Sequence, residues 1–312
     1  MTTSQHRHAS MLKTALGELI TQYLDAVDVI EIMVNPDGKL WVESFKKGKV
    51  FTGKMIDAQQ RSNIIKLVAA TQDIVVNTEH PEVLCELPQS GERFHGWLPP
   101  VVSSASFTIR KRAVRIFTLD DYVDQGTLTP IQANFLKDAV KMRKNILIAG
   151  GTASGKTTFA NALLNELRGK NERVIILEDV PELQLNIDDI VKLRTTPHKS
   201  MCALVQGSLR MRPDRIIIGE VKDGAALELL KAWNTGHPGG VCTIHANNPL
   251  SALFRLEDLI HEVMSVVPPR LIQQAVDIIV FMKRSHKGRY LVEHIDRLVD
   301  VKNKHYILEP AI

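Results

Sequence analysis

The sequence is poor in cysteine. Cys85, Cys202 and Cys242 are odd in number and scattered, and no C-x-x-C pair occurs. That excludes a disulfide framework and a paired-cysteine zinc module, and it fits a reducing compartment. No apolar run approaches the roughly 18 residues that a membrane-spanning helix needs. The first ten residues are polar and contain no hydrophobic segment, so no secretory signal is expected and the cytoplasm is the expected compartment. Aromatic residues make up only 5% and are scattered, which counts against a stacking platform for single-stranded nucleic acid. An excess of one charge is also missing. With 39 Lys+Arg against 35 Asp+Glu the net charge is +4, too mild a bias to argue for an anionic partner. Direct nucleic-acid binding is therefore not indicated. No internal repeat or low-complexity tract interrupts the chain. What remains is a chain of 312 residues with 44% hydrophobic and 24% charged content, ordinary for a globular protein and long enough for two domains.

Residues 1–10 read as disordered. Residues 11–24 carry Leu12, Ala15, Leu16, Leu19, Ile20 and Leu24 at helical spacing. Two β-rich runs, 29–34 and 39–43, flank Asn35-Pro36-Asp37-Gly38 and predict a hairpin. A second amphipathic helix is expected over 56–70, and strands over 83–87, 92–98 and 104–110. Residues 1–110 are thus expected to be a small α+β domain, followed by a basic linker at 111–118. From 119 onward the pattern becomes strand–helix alternation. Helices are expected at 119–123, 129–142, 157–167, 201–211, 224–233, 249–263 and 269–275. Strands are expected at 146–149, 174–177, 190–193, 216–218 and 241–244, with a hairpin near 276–297. That alternation predicts a mostly parallel sheet flanked by helices, a RecA-like P-loop domain over 119–312 in an α/β protein.

The strongest motif is Gly150-Gly151-Thr152-Ala153-Ser154-Gly155-Lys156-Thr157-Thr158. It fits G-x-x-x-x-G-K-[ST], and its context of strand, glycine loop and helix agrees. The glycines let backbone N–H groups crowd a polyphosphate, and the following helix turns its positive end to the same anion. Lys156 is expected to reach the β- and γ-phosphates of ATP, and the Thr157 hydroxyl to ligate Mg²⁺. The strand Ile216-Ile217-Ile218 ends in Gly219-Glu220, with glycine where a Walker B strand usually has aspartate. Glu220 would stand at the C-terminal edge of the sheet, where it can orient a water or hold Mg²⁺ through water. The strand 174–177 ends in Glu178-Asp179 with Glu182 close behind. Glu178 is expected on the same edge as a second carboxylate near Mg²⁺. His237 and His245 flank the short strand 241–244, where a neutral imidazole can hydrogen-bond a γ-phosphate or an acid.

These segments together resemble the four boxes of the secretion-ATPase superfamily: Walker A at 150–158, the Asp box at Glu178, Asp179 and Glu182, the atypical Walker B at 216–220 and the His box from Gly236 to Asn247, with His237 and His245. Leu209-Arg210-Met211-Arg212-Pro213-Asp214-Arg215 and Ala232-Trp233-Asn234-Thr235-Gly236-His237 are similar to the conjugative-transfer branch of the type IV secretion ATPases, the TrbB type. So are Ile32–Gly38 and the stretch from Arg115 to Tyr122, and the likeness runs from about 28 to 282. The resemblance implies an ATP-hydrolysing motor that uses Mg²⁺ and assembles as a homo-oligomer, a hexameric ring. Its implied partners are inner-membrane secretion-channel proteins and other secretion ATPases, met at the cytoplasmic face of the inner membrane. It further implies that Arg93 and Arg110 of the N-terminal domain reach the γ-phosphate. Lys111, Arg112 and Arg115, as a run of charge, are expected to form a solvated basic face. Ala153 departs from the pattern, because glycine is common there. Alanine is expected to hold the loop only at negative φ, with slightly altered loop geometry and retained binding. Two alternatives are a type II secretion or type IV pilus motor and a nucleic-acid translocase on a similar core.

Overall fold

The computed structural model describes residues 3–44, 47–88, 90–111, 116–285, 290–303 and 305–312, with side chains from residue 11 onward. The chain divides into two compact units, Met1–Arg115 and Ile116–Ile312. No helix among the described residues is long and apolar enough to cross a membrane.

In the first unit six strands form one antiparallel sheet: β1 (Val29–Val34), β2 (Lys39–Ser44), β3 (Gly48–Met55), β4 (Glu82–Glu86), β5 (Arg93–Trp97) and β6 (Ser106–Arg110), in the order β3-β2-β1-β6-β5-β4. Strict alternation decides which face is covered. Ile32, Val34, Leu40, Phe94, Phe107 and Ile109 are buried beneath Ile64, Ile65 and Val68 of α2 (Ala58–Thr71) and Leu16 and Ile20 of α1 (Thr3–Asp25). Asp57 caps α2 by accepting from Gln60 N at 2.9 Å. Helix α1 begins at Thr3, so residues 3–10 are helical where disorder was expected; the stretch holds neither proline nor glycine to stop the helix. The break comes at Gly17, with φ 65°. Strand β3 escaped the sequence reading because its exposed edge lacks the alternation of a half-buried strand.

The second unit is a RecA-like α/β fold. Its sheet comprises β7 (Ile146–Gly150), β8 (Val174–Glu178), β9 (Ile190–Arg194), β10 (Arg215–Ile218), β11 (Val241–His245), β12 (Ile278–Arg284), β13 (Tyr290–Lys302) and β14 (His305–Pro310). The order is β14-β13-β12-β7-β11-β10-β8-β9, parallel from β12 to β9, with β13 and β14 antiparallel. Strands β7, β8 and β10 are buried on both faces, which their unbroken Ile, Leu and Val runs foretell. On one side lie α3 (Leu119–Asp124), α4 (Pro130–Lys141) and α5 (Lys156–Asn165). On the other lie α6 (Met201–Ser208), α7 (Ala225–Asn234), α8 (Pro249–His261) and α9 (Pro269–Ala275). Capping boxes start α3 at Thr118/Asp121 and α4 at Thr129/Gln132, with Pro130 in the first turn of α4. Of the expected linker, residues 112–115, including Arg112 and Arg115, lie outside the described residues.

The end of this sheet where β10 and β11 begin is tied by polar side chains. Arg215 is fully buried. It pairs with Glu172 and donates to Gly239 O at 3.1 Å and Val140 O at 3.0 Å. Asn145 Oδ1 accepts from Gly239 N at 2.8 Å and Gly240 N at 3.0 Å. The Trp233 indole donates to Ile216 O at 3.2 Å, and a Cβ on Gly240 would overlap that indole nitrogen. Gly240→Ala should therefore break the indole bond and push Trp233 out of the core. We expect a loss of about 2–4 kcal/mol, from overpacking together with one lost buried hydrogen bond. Urea unfolding followed by tryptophan fluorescence reads it, and a variant as stable as the parent would contradict the packing described.

Candidate functional site

Parallel pairing carries distant segments to one edge. His245 stands opposite Gly150 across β11 and β7, and Leu177 stands opposite Ile218 across β8 and β10. The carboxyl ends of four strands thus present Gly150, Glu178, Gly219-Glu220 and His245 together, where open α/β sheets bind ligands.

The loop 150–155 leaves β7 and enters α5. Gly151, Thr152 and Ala153 are exposed, while Ser154 and Lys156 are buried. Ala153 has φ 55°, in the left-handed region. The expectation of a negative φ is overturned: the loop keeps the turn that glycine would favour, and alanine tolerates it at a cost of about 1–2 kcal/mol. Thr157 and Thr158 occupy the first turn of α5, whose unpaired N–H groups point to the loop. The Ser154 hydroxyl is buried and has no hydrogen-bond partner among the described residues. It would come within 2.6 Å of a Cβ on Gly150, so it lines the inside of the loop. An orphaned donor there, backbone N–H groups and the Thr157 hydroxyl make a donor set that suits phosphate oxygens, and Thr157 with Glu220 suits Mg²⁺.

Lys156 Nζ donates to Gly150 O at 2.9 Å and Gly151 O at 2.8 Å, and lies 3.3 Å from His245 Nδ1. His245 Nε2 lies 3.0 Å from Glu220 Oε1. The ammonium has no lone pair to offer, so Nδ1 accepts and the ring proton sits on Nε2, donated to Glu220. Burial and then the Lys156 ammonium hold the His245 pKa below the ordinary histidine value, although Glu220 pulls the other way. Arg255 of α8 also contributes positive potential at His245, a neighbour that no motif announced.

Glu178 is placed differently. It is buried, and Oε1 accepts from Glu182 N and Leu183 N, each at 2.8 Å. Burial pushes its carboxyl up despite those two bonds. A Cβ on Gly219 would stand 3.1 Å from the Glu178 Cγ, so the glycine that replaces the usual aspartate leaves room for this side chain. Glu182 contributes its carbonyl to Asn161 Nδ2 at 3.2 Å. Asp179 is engaged as well, pairing with Lys222 at 2.6 Å and accepting from Thr195 Oγ1 at 2.7 Å. Burial would raise its pKa, but these partners hold it low.

Two residues grouped with the site by motif lie at the other end of the sheet. His237 Nδ1 donates to Pro213 O at 3.1 Å, ahead of the start of β10. Arg210 donates to Gln206 O at 3.3 Å in the turn that follows α6. The expectation that His237 attends the phosphates is corrected. Five residues of strand separate the two ends, and only His245 is on the P-loop edge.

In the first unit Arg93 and Arg110 stand opposite each other across β5 and β6, on the face away from α2. Glu31 is next across β1, and burial raises its carboxyl although Arg110 and Arg93 act to lower it.

A family model described as type II/IV secretion system protein matches residues 29–293. A probable conjugal transfer protein TrbB of Sinorhizobium fredii (strain NBRC 101917 / NGR234) is 48% identical over 288 residues, covering 92% of this chain and 88% of that protein. A conjugal transfer protein TrbB of Rhizobium radiobacter is 46% identical over 308 residues, covering 98% and 95%. Among solved structures, the Legionella pneumophila ATPase DotB aligns over 95% of this chain and 82% of its own with a TM-score of 0.64 at 17% identity, a likeness of fold.

Proposed function

The chain belongs to the type II/IV secretion system protein family, and on that footing we propose that it is an Mg²⁺-dependent ATPase of a conjugative type IV secretion system. The observation that carries this reading is the contact of Lys156 with His245 and of His245 with Glu220 at the mouth of a P-loop. Lys156 holds the β- and γ-phosphates. Ser154 and the backbone N–H groups of the loop surround the remaining phosphate oxygens. Bound at Thr157 and Glu220, Mg²⁺ would supply positive charge against the phosphates. Glu220 orients the attacking water toward the γ-phosphorus, and His245 fixes the Glu220 carboxylate from one side and senses Lys156 from the other. Glu178 shapes this edge by holding the backbone at 182–183, leaving Glu220 as the available acid. The two relatives named for conjugal transfer support assigning the chain to conjugal-transfer machinery; there we infer a hexameric motor that acts on inner-membrane channel subunits from the cytoplasmic side. Phosphate release with and without Mg²⁺, combined with light scattering in the presence and absence of ATP, tests activity and ring formation together. A chain that releases no phosphate in any oligomeric state would refute the ATPase.

Arg93 and Arg110 are proposed to act on the γ-phosphate, the role that the family resemblance implies for them; they are cross-strand neighbours on the sheet face away from α2. Glu31 stands opposite Arg110 and Glu86 opposite Arg93 in the same sheet. Arg93→Ala and Arg110→Ala should keep near-normal ADP affinity, because ADP lacks the contacted group. Each should lower kcat by about 10²-fold or more. Equal loss of ADP and ATP binding would mean that these arginines support the fold instead.

A further inference from the structure

At the P-loop edge, on the side away from Glu220, an aromatic residue packs on the loop itself. Tyr290 opens β13, and its ring would lie 3.0 Å from a Cβ placed on Gly155, the residue just before α5. Arg284, the last residue of β12, is the direct strand partner of Tyr290, and its guanidinium carbon lies 5.6 Å from the centre of the tyrosine ring. Thr127 Oγ1 donates to Tyr290 O at 3.3 Å and ties the strand to the segment before α4. Both side chains are half-buried.

The direction in which a nucleotide must lie follows from the strand order. Lys156 reaches toward His245 on β11, so the terminal phosphate faces β11 and β10. Strand β12 flanks β7 on the opposite side. A nucleotide with its last phosphate at Lys156 carries its nucleoside away from β11, toward β12 and β13. There the planar guanidinium of Arg284, backed by the Tyr290 ring, offers a flat cationic surface to a base.

We propose that Arg284 and Tyr290 form the nucleobase subsite, with the base stacked on the Arg284 guanidinium. The inference rests on the P-loop reading above and deepens it. Stacking of this kind is tolerant of base identity, because every base has a π-face, so the ligand class is a nucleoside di- or triphosphate.

The test separates the base from the phosphates. ADP and inorganic tripolyphosphate are titrated calorimetrically, with Mg²⁺, into the full chain and into Arg284→Ala, Tyr290→Ala, Tyr290→Phe and Lys156→Ala. Arg284→Ala and Tyr290→Ala should each weaken ADP by about tenfold and leave tripolyphosphate binding as in the parent. Tyr290→Phe keeps the ring and should keep ADP affinity. Lys156→Ala should weaken both ligands. Tripolyphosphate binding doubles as the folding control. Equal weakening of both ligands in Tyr290→Ala would show that the ring only props Gly155, and undiminished ADP affinity in both alanine variants would place the base elsewhere; either overturns the subsite alone. A parent chain that binds neither ligand overturns the P-loop reading and the subsite with it.

Discussion

Lys156→Ala should lower ATP turnover by about 10³-fold or more, because a preorganised cation facing the transferring phosphate gives strong electrostatic stabilisation where charge develops in the transition state. Lys156 is buried although charged, and its ammonium is satisfied by the carbonyls of Gly150 and Gly151. That placement puts the charge at the loop mouth before any phosphate arrives, so little reorganisation is needed. The backbone N–H groups of the loop and of α5 survive the substitution. Nucleotide affinity should therefore fall steeply without vanishing. Removing the ammonium also takes one donor from each of two carbonyl oxygens and one from His245 Nδ1, so circular dichroism must accompany the assay to separate misfolding from lost chemistry. Phosphate release at the parent rate from a folded variant would remove the site from 150–158.

Glu220→Gln should bind ATP nearly as well as the parent yet hydrolyse it about 10²–10³-fold more slowly, the range for removing a positioned base or water-orienting group. The amide oxygen can still accept from His245 Nε2, so the 3.0 Å contact need not break. What is lost is the negative charge that balances Mg²⁺ and polarises water. Glu178→Gln is the informative companion. Its Oε1 role, accepting from Glu182 N and Leu183 N, can be filled by an amide oxygen, so turnover should suffer far less. Should Glu178→Gln be inactive and Glu220→Gln fully active, the two acids exchange roles.

How much of this was legible beforehand differs from residue to residue. The P-loop was readable because strand, loop and α5 are contiguous in the chain, and local geometry alone brings Gly150 to Lys156. The Ile and Val runs of β7, β8 and β10 were readable because a strand buried on both faces tolerates little else. Strand β3 was hidden by its exposed edge and β14 by its irregular register with β13. The motif joined His237 to His245 through proximity in sequence, yet a single strand carries them to opposite ends of the sheet. Ala153 was misjudged because a side chain as small as a methyl survives the left-handed region when the loop around it is held in place.

By itself the sequence determined the α/β class, the alternation of the second unit and the glycine loop between β7 and α5, since each depends on short-range pattern. Only the tertiary structure decided which acid is available. Register between parallel strands far apart in the chain sets Glu220 beside His245 and buries Glu178 against the 182–183 backbone. It likewise decided that Tyr290, with Arg284 as its strand partner, packs against Gly155. Such neighbours are chosen by crossover connections and strand order, and no local periodicity encodes which side of β7 a later strand will join.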